Sequence, residues 1–556
     1  MSDSVNQHTT NRVSPAPTRR HFVVGAAAAF AAVAGGSLLA GCGQTGSKAA
    51  GSAEKKDGTS LVIALGSSNE PEGGFDPCLG WGSSEHVHEP LIQSTLIVTD
   101  KDMNIVNDLV TEYSVADDGL MWTFKIRDDI KFTDGKPLKA SDVAFTLNTI
   151  RTSDKAEADL TMIDNVEAVS DTEVRIHLNK PYNALIYTLA VIGIVPEHAY
   201  GPTYGDKPIG SGRYKLAQWD HGQQAIFEAN PDYYGDAPKI KRFTVVFMDE
   251  DAALAAVKAG KVDMAFTSAI HASQTVDGYR LEAFKSVDSR GINLPVIPAG
   301  STRVSDGESY PAGNDVTCHK EIRQAMNMAL DRKALIDNVL GGYGEVAYSI
   351  GDGMPWANPE MKVEYDPDQA RKIMEDAGWK QKDGIYEKDG KQAEFTLYYS
   401  TSDPVRQGLS NEFARQMGEV GIKVNAAGHA WDDIFPHSFS DPIMWGWGSN
   451  APSDIYGVTY STSDMNFSCY ENPVSDAYID QALATKTIEE SYPLWQKAEW
   501  DGTTGPAPQG DAAWLWFTNI DHLYWVSDGL TVAEQKLHPH GHGWSVLNNV
   551  DAWSWG

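Results

Sequence analysis

The densest chemistry in the chain lies in residues 444–456, Met-Trp-Gly-Trp-Gly-Ser-Asn-Ala-Pro-Ser-Asp-Ile-Tyr. Two indoles, a primary amide, a carboxylate and a phenol fall within this short run, and aromatic walls with a few polar groups are what small-molecule pockets use. Trp445 and Trp447 are two apart, so on a strand they face the same way, while Gly446 and Gly448 leave room for a ligand or another backbone. Asn450, Asp454 and Tyr456 complete the candidate wall. The same residues also fit a buried core strand followed by a turn. Residues 80–83 (Gly-Trp-Gly-Ser) repeat residues 446–449 and offer a further indole, Trp81. A second concentration of ligating side chains is His538, His540 and His542, which alternate and can present imidazoles from one extended face. Pro539 and the glycines around them predict an exposed loop, and no paired carboxylate or Cys accompanies them, so no metal site is assigned. His86 and His88 repeat that spacing beside Glu85.

These residues need a frame. The chain has 556 residues, too many for one ordinary core, so two or three lobes are expected. Its formal charge of −31 argues against binding nucleic acid or anionic lipid, since both need clusters of Lys and Arg. Apart from Cys42 there are Cys78, Cys318 and Cys469, with no Cys-x-x-Cys spacing, which leaves one disulfide open in an oxidising exterior.

Residues 1–42 read as an address label. Thr18-Arg19-Arg20-His21-Phe22-Val23 resembles a twin-arginine export motif, residues 23–40 are an Ala/Gly-rich apolar run, and Leu39-Ala40-Gly41-Cys42 resembles a lipobox. That pattern implies acylation of Cys42. Residues 43–59 have the small polar composition of a flexible tether, and no second long apolar run follows.

Beyond the tether, residues 60–65 are a strand candidate. Trp122, Phe124 and Ile126 alternate as a strand, Asp134-Gly135 turns, and Ser141 is expected to cap a helix with Val143, Leu147 and Ile150 on one face. Asp249, Glu250 and Asp251 start another helix that Gly260 ends. Asp366, Pro367 and Gln369 carry a capping signal, residues 409–420 are a helical stripe stopped by Gly421, and residues 512–517 (Ala-Ala-Trp-Leu-Trp-Phe) are a buried strand candidate. The repeated strand-helix alternation predicts α/β lobes, with the Trp-rich stretch near the end of a strand, where such sheets bind ligands.

Residues 119–151 resemble the most telling motif of the extracytoplasmic solute-binding proteins of peptide and nickel ABC importers, a strand, an Asp-Gly turn and an Ala-x-Asp-Val helix start. Residues 210–214 (Gly-Ser-Gly-Arg-Tyr), 230–234 (Asn-Pro-Asp-Tyr-Tyr), 260–263, 322–325 and the segment from Tyr365 to Trp379 are similar to further motifs, in family order. The resemblance implies an α/β, periplasmic-binding-protein-like clamp of two lobes with an additional domain. The expected division is residues 60–87, 204–300 and 505–556 as a discontinuous first lobe, 88–203 as the extra domain and 301–504 as the third segment. It also implies a short-peptide or other small ligand, permease subunits as partners, a monomer held at the outer face of the cell membrane by lipid, no cofactor and no catalysis. Arg290 and Arg406 become candidate partners of a ligand carboxylate. Peptide-binding members place an Asp four residues before the Pro that corresponds to Pro452, and this chain has Gly448 there, so that amine anchor is missing. A receptor for nickel or another metal chelate is the alternative within the family. A secreted hydrolase is the rival outside it, but the chain has no His-Glu-x-x-His, Gly-x-Ser-x-Gly or P-loop motif.

Overall fold

The computed structural model describes residues 58–81, 88–305, 307–448, 451–539 and 543–556. Cys42, Asn450, His86, His540 and His542 lie outside them. Among the described residues, no helix is long and apolar enough to cross a membrane.

Seven strands form one mixed sheet, in the order Tyr279–Phe284, His522–Ser527, Met264–Thr267, Ser60–Leu65, Arg242–Phe247, Gln224–Ala229 and Tyr214–Asp220. The apolar strand Ser60–Leu65 sits at its centre, parallel to both Arg242–Phe247 and Met264–Thr267. Helix Glu250–Lys258 joins those two, with Glu250 and Asp251 in its first turn and Gly260 at φ +63° just past its end. The left-handed conformation there is one that glycine adopts without penalty.

Strands Val110–Val115, Met121–Ile126, Glu173–Leu178 and Ile163–Ala168 make a separate antiparallel sheet. Helix Ala140–Thr152 buries Val143, Leu147 and Ile150. Its cap differs from the expectation at Ser141. The cap is Lys139, two residues earlier, and the buried Asp142 carboxylate accepts from the backbone N–H of Lys139 at 2.8 Å and of Glu197 at 2.9 Å. A carboxylate reaches two donors at once, so it satisfies the helix entrance and ties down the chain at 197.

The third sheet runs in the order Gly344–Val346, Trp514–Ile520, Ser289–Asn293, Met444–Trp447. Strand Trp514–Ile520 starts two residues later than the apolar run at 512 suggests, because Ala512 is left-handed, at φ +48°. One face of this sheet packs with helices Lys320–Ala329, Arg332–Leu340, Pro367–Asp376 and Pro404–Glu419. The other face joins a core that runs without a break from Phe124, Leu147 and Ile176 to Trp445, Trp495, Trp514 and Trp516. Across that seam, Asn183 Nδ2 donates to Ala482 O at 2.8 Å, its backbone N–H donates to Leu483 O, and the Tyr187 and Tyr492 hydroxyls meet at 2.9 Å.

The chain passes between the seven-stranded and the third sheet twice, through residues 285–288 and through Asp521. The two passages are laced together: Lys285 Nζ reaches Glu345 Oε1 at 2.6 Å and Asp521 Oδ2 at 3.1 Å, and Ser286 Oγ donates to Ile520 O. Cys78, Cys318 and Cys469 are free thiols, each pushed above its ordinary pKa by burial.

Candidate ligand wall

Register decides which side chains of the Trp-rich strand meet. Trp447 pairs with Ser289, Gly446 with Arg290 and Trp445 with Gly291, and Gly291 in turn pairs with Trp516. Because successive side chains alternate, Trp445 and Trp447 share one face, while Gly446 and Arg290 share the other.

On the first face, Trp445 is 7% exposed, stacks on Phe467 at 4.5 Å and donates its Nε1–H to Asn293 Oδ1 at 3.1 Å. It is a satisfied core residue. Trp447 is half-buried and stands edge-on to Trp514 at 6.2 Å, and its buried Nε1 has no hydrogen-bond partner among the described residues. Trp514 stacks on Trp516 at 5.0 Å. The ring of Trp516 crosses Gly291 so closely that a Cβ there would lie 2.5 Å from it.

On the second face two guanidiniums converge over one glycine. A Cβ on Gly446 would lie 2.6 Å from Arg406 Nη2 and 2.8 Å from Arg290 Nη1. Arg290 is 1% exposed, donates from Nη1 to Asp288 Oδ1 and to Ser289 O, and leaves its buried Nε–H without a partner among the described residues. Burial works against its charge, but Asp288 and then Asp403 outweigh that and hold the group above its ordinary pKa. Arg406 stands in the first turn of helix Pro404–Glu419, 3.3 Å from Asp403 Oδ2, with its guanidinium 5.0 Å over the ring of Trp431. Trp431 stacks on Trp445 at 5.6 Å and so joins the two faces around the strand edge.

The location follows from topology. Strands Glu394–Ser400 and Lys423–His429 are parallel, and Ile443 bridges Tyr398 in the same sense. Their carboxyl ends lead to Asp403 and Arg406, to Trp431, and to Trp447 and Gly448. Open α/β sheets bind ligands at this end. Arg290 thus has a buried N–H without a partner among the described residues on one face of the strand, and Trp447 has one on the opposite face; a guanidinium N–H suits a carboxylate.

The other expected residues fall elsewhere. Trp81 is 4% exposed and packs edge-on against Phe75 at 4.6 Å and Trp544 at 4.9 Å, in the core of the seven-stranded sheet. Asp454 and Tyr456 lie on the short helix Ser453–Thr459, where Tyr456 stacks on Tyr460 at 4.6 Å and Lys180 Nζ lies 5.7 Å from its ring. His538 is not in an exposed loop: it is fully buried, with Nδ1 3.2 Å from His522 Nδ1 and Nε2 3.2 Å from Gln535 Oε1. Its ring is drawn inside because backbone bonds to Lys285 and Val287 pin the segment to the crossover. Among the described residues, no group of three or more His, Cys, Asp or Glu side chains is placed to hold a metal ion. Trp431, Asp288, Asp403, Trp514 and Trp516 were not singled out in the sequence, although Trp514-x-Trp516 repeats the two-residue alternation of Trp445-x-Trp447.

Comparison with known proteins agrees with this architecture. Residues 104–468 match the family model described as Bacterial extracellular solute-binding proteins, family 5 Middle. Protein XP55 of Streptomyces lividans is 31% identical over 540 residues, covering 92% of this chain and 93% of its own length. Oligopeptide-binding protein AppA of Bacillus subtilis is 30% identical over 480 residues, 80% of this chain and 85% of that protein. Among solved structures, NikZ from Campylobacter jejuni in complex with Ni(L-His) superposes with a TM-score of 0.72 at 25% identity, over 90% of this chain and all of that one. With its two-lobed α/β fold and a family match over most of its length, the chain belongs to the family 5 bacterial extracellular solute-binding proteins.

Proposed function

We propose that this protein is a lipid-anchored extracytoplasmic receptor that captures a short peptide or peptide-like solute by closing its lobes and delivers it to an ABC importer without chemical change. In this reading residues 1–42 direct twin-arginine export and acylation of Cys42, and residues 43–59 tether the clamp. The clamp divides into residues 60–87 with 204–300 and 505–556, an extra domain of 88–203, and a third segment of 301–504. The observation that carries the ligand assignment is the meeting of Arg290 and Arg406 over Gly446, with the spare Arg290 Nε–H, at the carboxyl ends of the strands. These groups take a ligand carboxylate, and Trp447, on the opposite face of the same strand end, is a separate candidate contact. Asp454, Tyr456, Trp81 and Asn450, the last outside the described residues, remain candidates, Trp81 being buried in the core of its own sheet.

A second reading has its own support. Gly448 supplies no carboxylate for a peptide ammonium, and burying an unpaired ammonium is costly. A metal chelate whose carboxylates meet the arginines needs no such partner, and NikZ, a structural relative, was solved with Ni(L-His).

Native mass spectrometry of the purified protein, followed by melting with peptide pools and with nickel plus histidine, separates the two. A ligand at 100 times its Kd stabilises the fold by about 2.7 kcal/mol. A shift with peptides alone supports the first reading, a shift with nickel and histidine alone replaces it by the second, and silence with both rejects the carboxylate wall.

A further inference from the structure

A small cavity has Trp514 and Trp516 in its wall, together with Tyr348, Thr459 and Glu499, the last residue of helix Ile488–Glu499. Its free space, about 10 Å³ for the centre of a water-sized group, admits one such group. Trp514 also meets Trp447 edge-on at 6.2 Å, so the cavity lies one indole away from the candidate ligand contact.

The carboxylate in this wall is only half used. Glu499 is buried, and of its two oxygens Oε1 takes the Ser349 hydroxyl while Oε2 has no hydrogen-bond partner among the described residues. Ser349 Oγ in turn accepts from Gly351 N at 2.8 Å, which holds the hydroxyl in place. Neighbouring donors are committed elsewhere: Trp514 Nε1–H donates to Val458 O at 3.2 Å and the Thr459 hydroxyl to Ile455 O at 2.5 Å. Thr459 Oγ1 therefore has lone pairs to offer and no proton. The charged groups on the Tyr348 side are Asp352, which accepts from the backbone N–H of Tyr348 and Ser349, and Arg332, whose guanidinium sits 4.7 Å over the Tyr348 ring. Arg332 spends its N–H groups on Ala347 O, Trp516 O and Asn327, and its charge, with that of Lys362, acts on Asp352. A carboxylate oxygen short of donors, a hydroxyl lone pair and aromatic rings complement a water-sized cation with several N–H donors, which is an ammonium.

We propose that Glu499 Oε2 anchors the primary ammonium of the ligand in this cavity, in place of the carboxylate that Gly448 lacks, so that the receptor selects solutes with a free amine. The inference rests on the peptide-like reading above, which supplies the amine. The ammonium donates to Oε2 and to Thr459 Oγ1 against the indoles, and the rest of the ligand runs past Trp514 towards Trp447. Burial, against the Ser349 hydrogen bond and with help from Asp352, lifts Glu499 to about 8. Below that pH the carboxyl gives its proton to solvent as the ammonium arrives. One proton is then released per ligand, and amine affinity rises with pH up to about 8.

Titration calorimetry on the full chain compares trialanine with desamino-trialanine, in which hydrogen replaces the amine. Near pH 6.5 trialanine is expected to bind about thirtyfold or more tightly than the desamino form, as loss of a buried charge partner implies. In buffers of different ionisation enthalpy it is also expected to release about one proton. Glu499→Gln is expected to erase both the difference and the release. Equal affinities of the wild type for the two peptides, or an equal loss of both in the variant, overturn the proposal and leave the peptide reading standing. If neither peptide binds, the peptide reading falls and ammonium chloride decides the cavity by itself. It is expected to raise the melting temperature of the wild type above that in equimolar sodium chloride, and not to do so in Glu499→Gln. No such rise in the wild type overturns the proposal, since a neutral water-sized group then serves Oε2.

Discussion

At the scale of single residues, Gly446 is the position on which the arginine pair depends. Its missing Cβ is occupied space, with Arg406 Nη2 at 2.6 Å and Arg290 Nη1 at 2.8 Å. Gly446→Ala is expected to push the guanidiniums apart, lower stability by about 1–3 kcal/mol as overpacking does, and weaken ligand binding further. Urea midpoints read with ligand titrations measure both effects, and an unchanged affinity would show that the arginines do not touch ligand. Glu499 gives a second residue-scale outcome. It is fully buried, accepts from Ser349 Oγ, and is lifted to about 8 by burial, against the Ser349 hydrogen bond and with help from Asp352. The unfolded chain ionises this group near the ordinary glutamate value of 4.5, so the folded state holds the extra proton between there and about 8. Stability is full at acid pH and declines across that window, by an amount on the order of a few kcal/mol. Glu499→Gln is expected to flatten the profile and to exceed the wild type in urea unfolding at pH 8, with little difference at pH 4.5. The shared face of Trp445 and Trp447 was legible from spacing alone. That Trp445 is core and Trp447 is not was illegible, because Asn293 and Phe467, which satisfy Trp445, come from remote parts of the chain.

At the scale of elements, helix Pro404–Glu419 aims Arg406. Asp403 accepts from the backbone N–H of Val405 at 2.9 Å and of Arg406 at 3.0 Å, and Pro404 fills the first helical position. Asp403→Ala is expected to cost about 0.5–2 kcal/mol and Asp403→Asn a few tenths, since Asn caps nearly as well. Chemical denaturation compares them, and equal losses would mean that the ion pair with Arg406 outweighs the cap. Caps of this kind announce themselves locally, as at Asp366, whose side chain accepts from Gln369 N at 2.8 Å. Ser141 misled because a stronger acceptor, Asp142, lay one residue on and had a long-range donor at Glu197. The start of strand Trp514–Ile520 was hidden for another reason: a left-handed alanine leaves no mark in an apolar run.

At the scale of the whole molecule, the α/β character was readable from strand-helix alternation. The pairing of Ser60–Leu65 with strands far along the chain was not, since periodicity says nothing about which strands neighbour one another. Asn183 falls in the extra domain and Ala482 in the third segment of the division proposed above, so in that reading the seam between them is one that opening of the clamp would break. Asn183→Ala removes the Nδ2 contact to Ala482 O and is expected to lower ligand affinity roughly 5–100-fold at about 1–3 kcal/mol, with k-off rising more than k-on falls. Small-angle scattering of the ligand-saturated variant should show a larger radius than the wild type, and an identical radius and affinity would mean that the seam does not open. The indole row has a use of its own in such measurements. Trp514 and Trp516 lie nearly coplanar, 10° apart, while Trp447 meets Trp514 at 84°. Neighbouring transition dipoles at these separations exchange excitation, so near-ultraviolet circular dichroism and tryptophan emission from this row form an intrinsic optical gauge, readable without any attached dye.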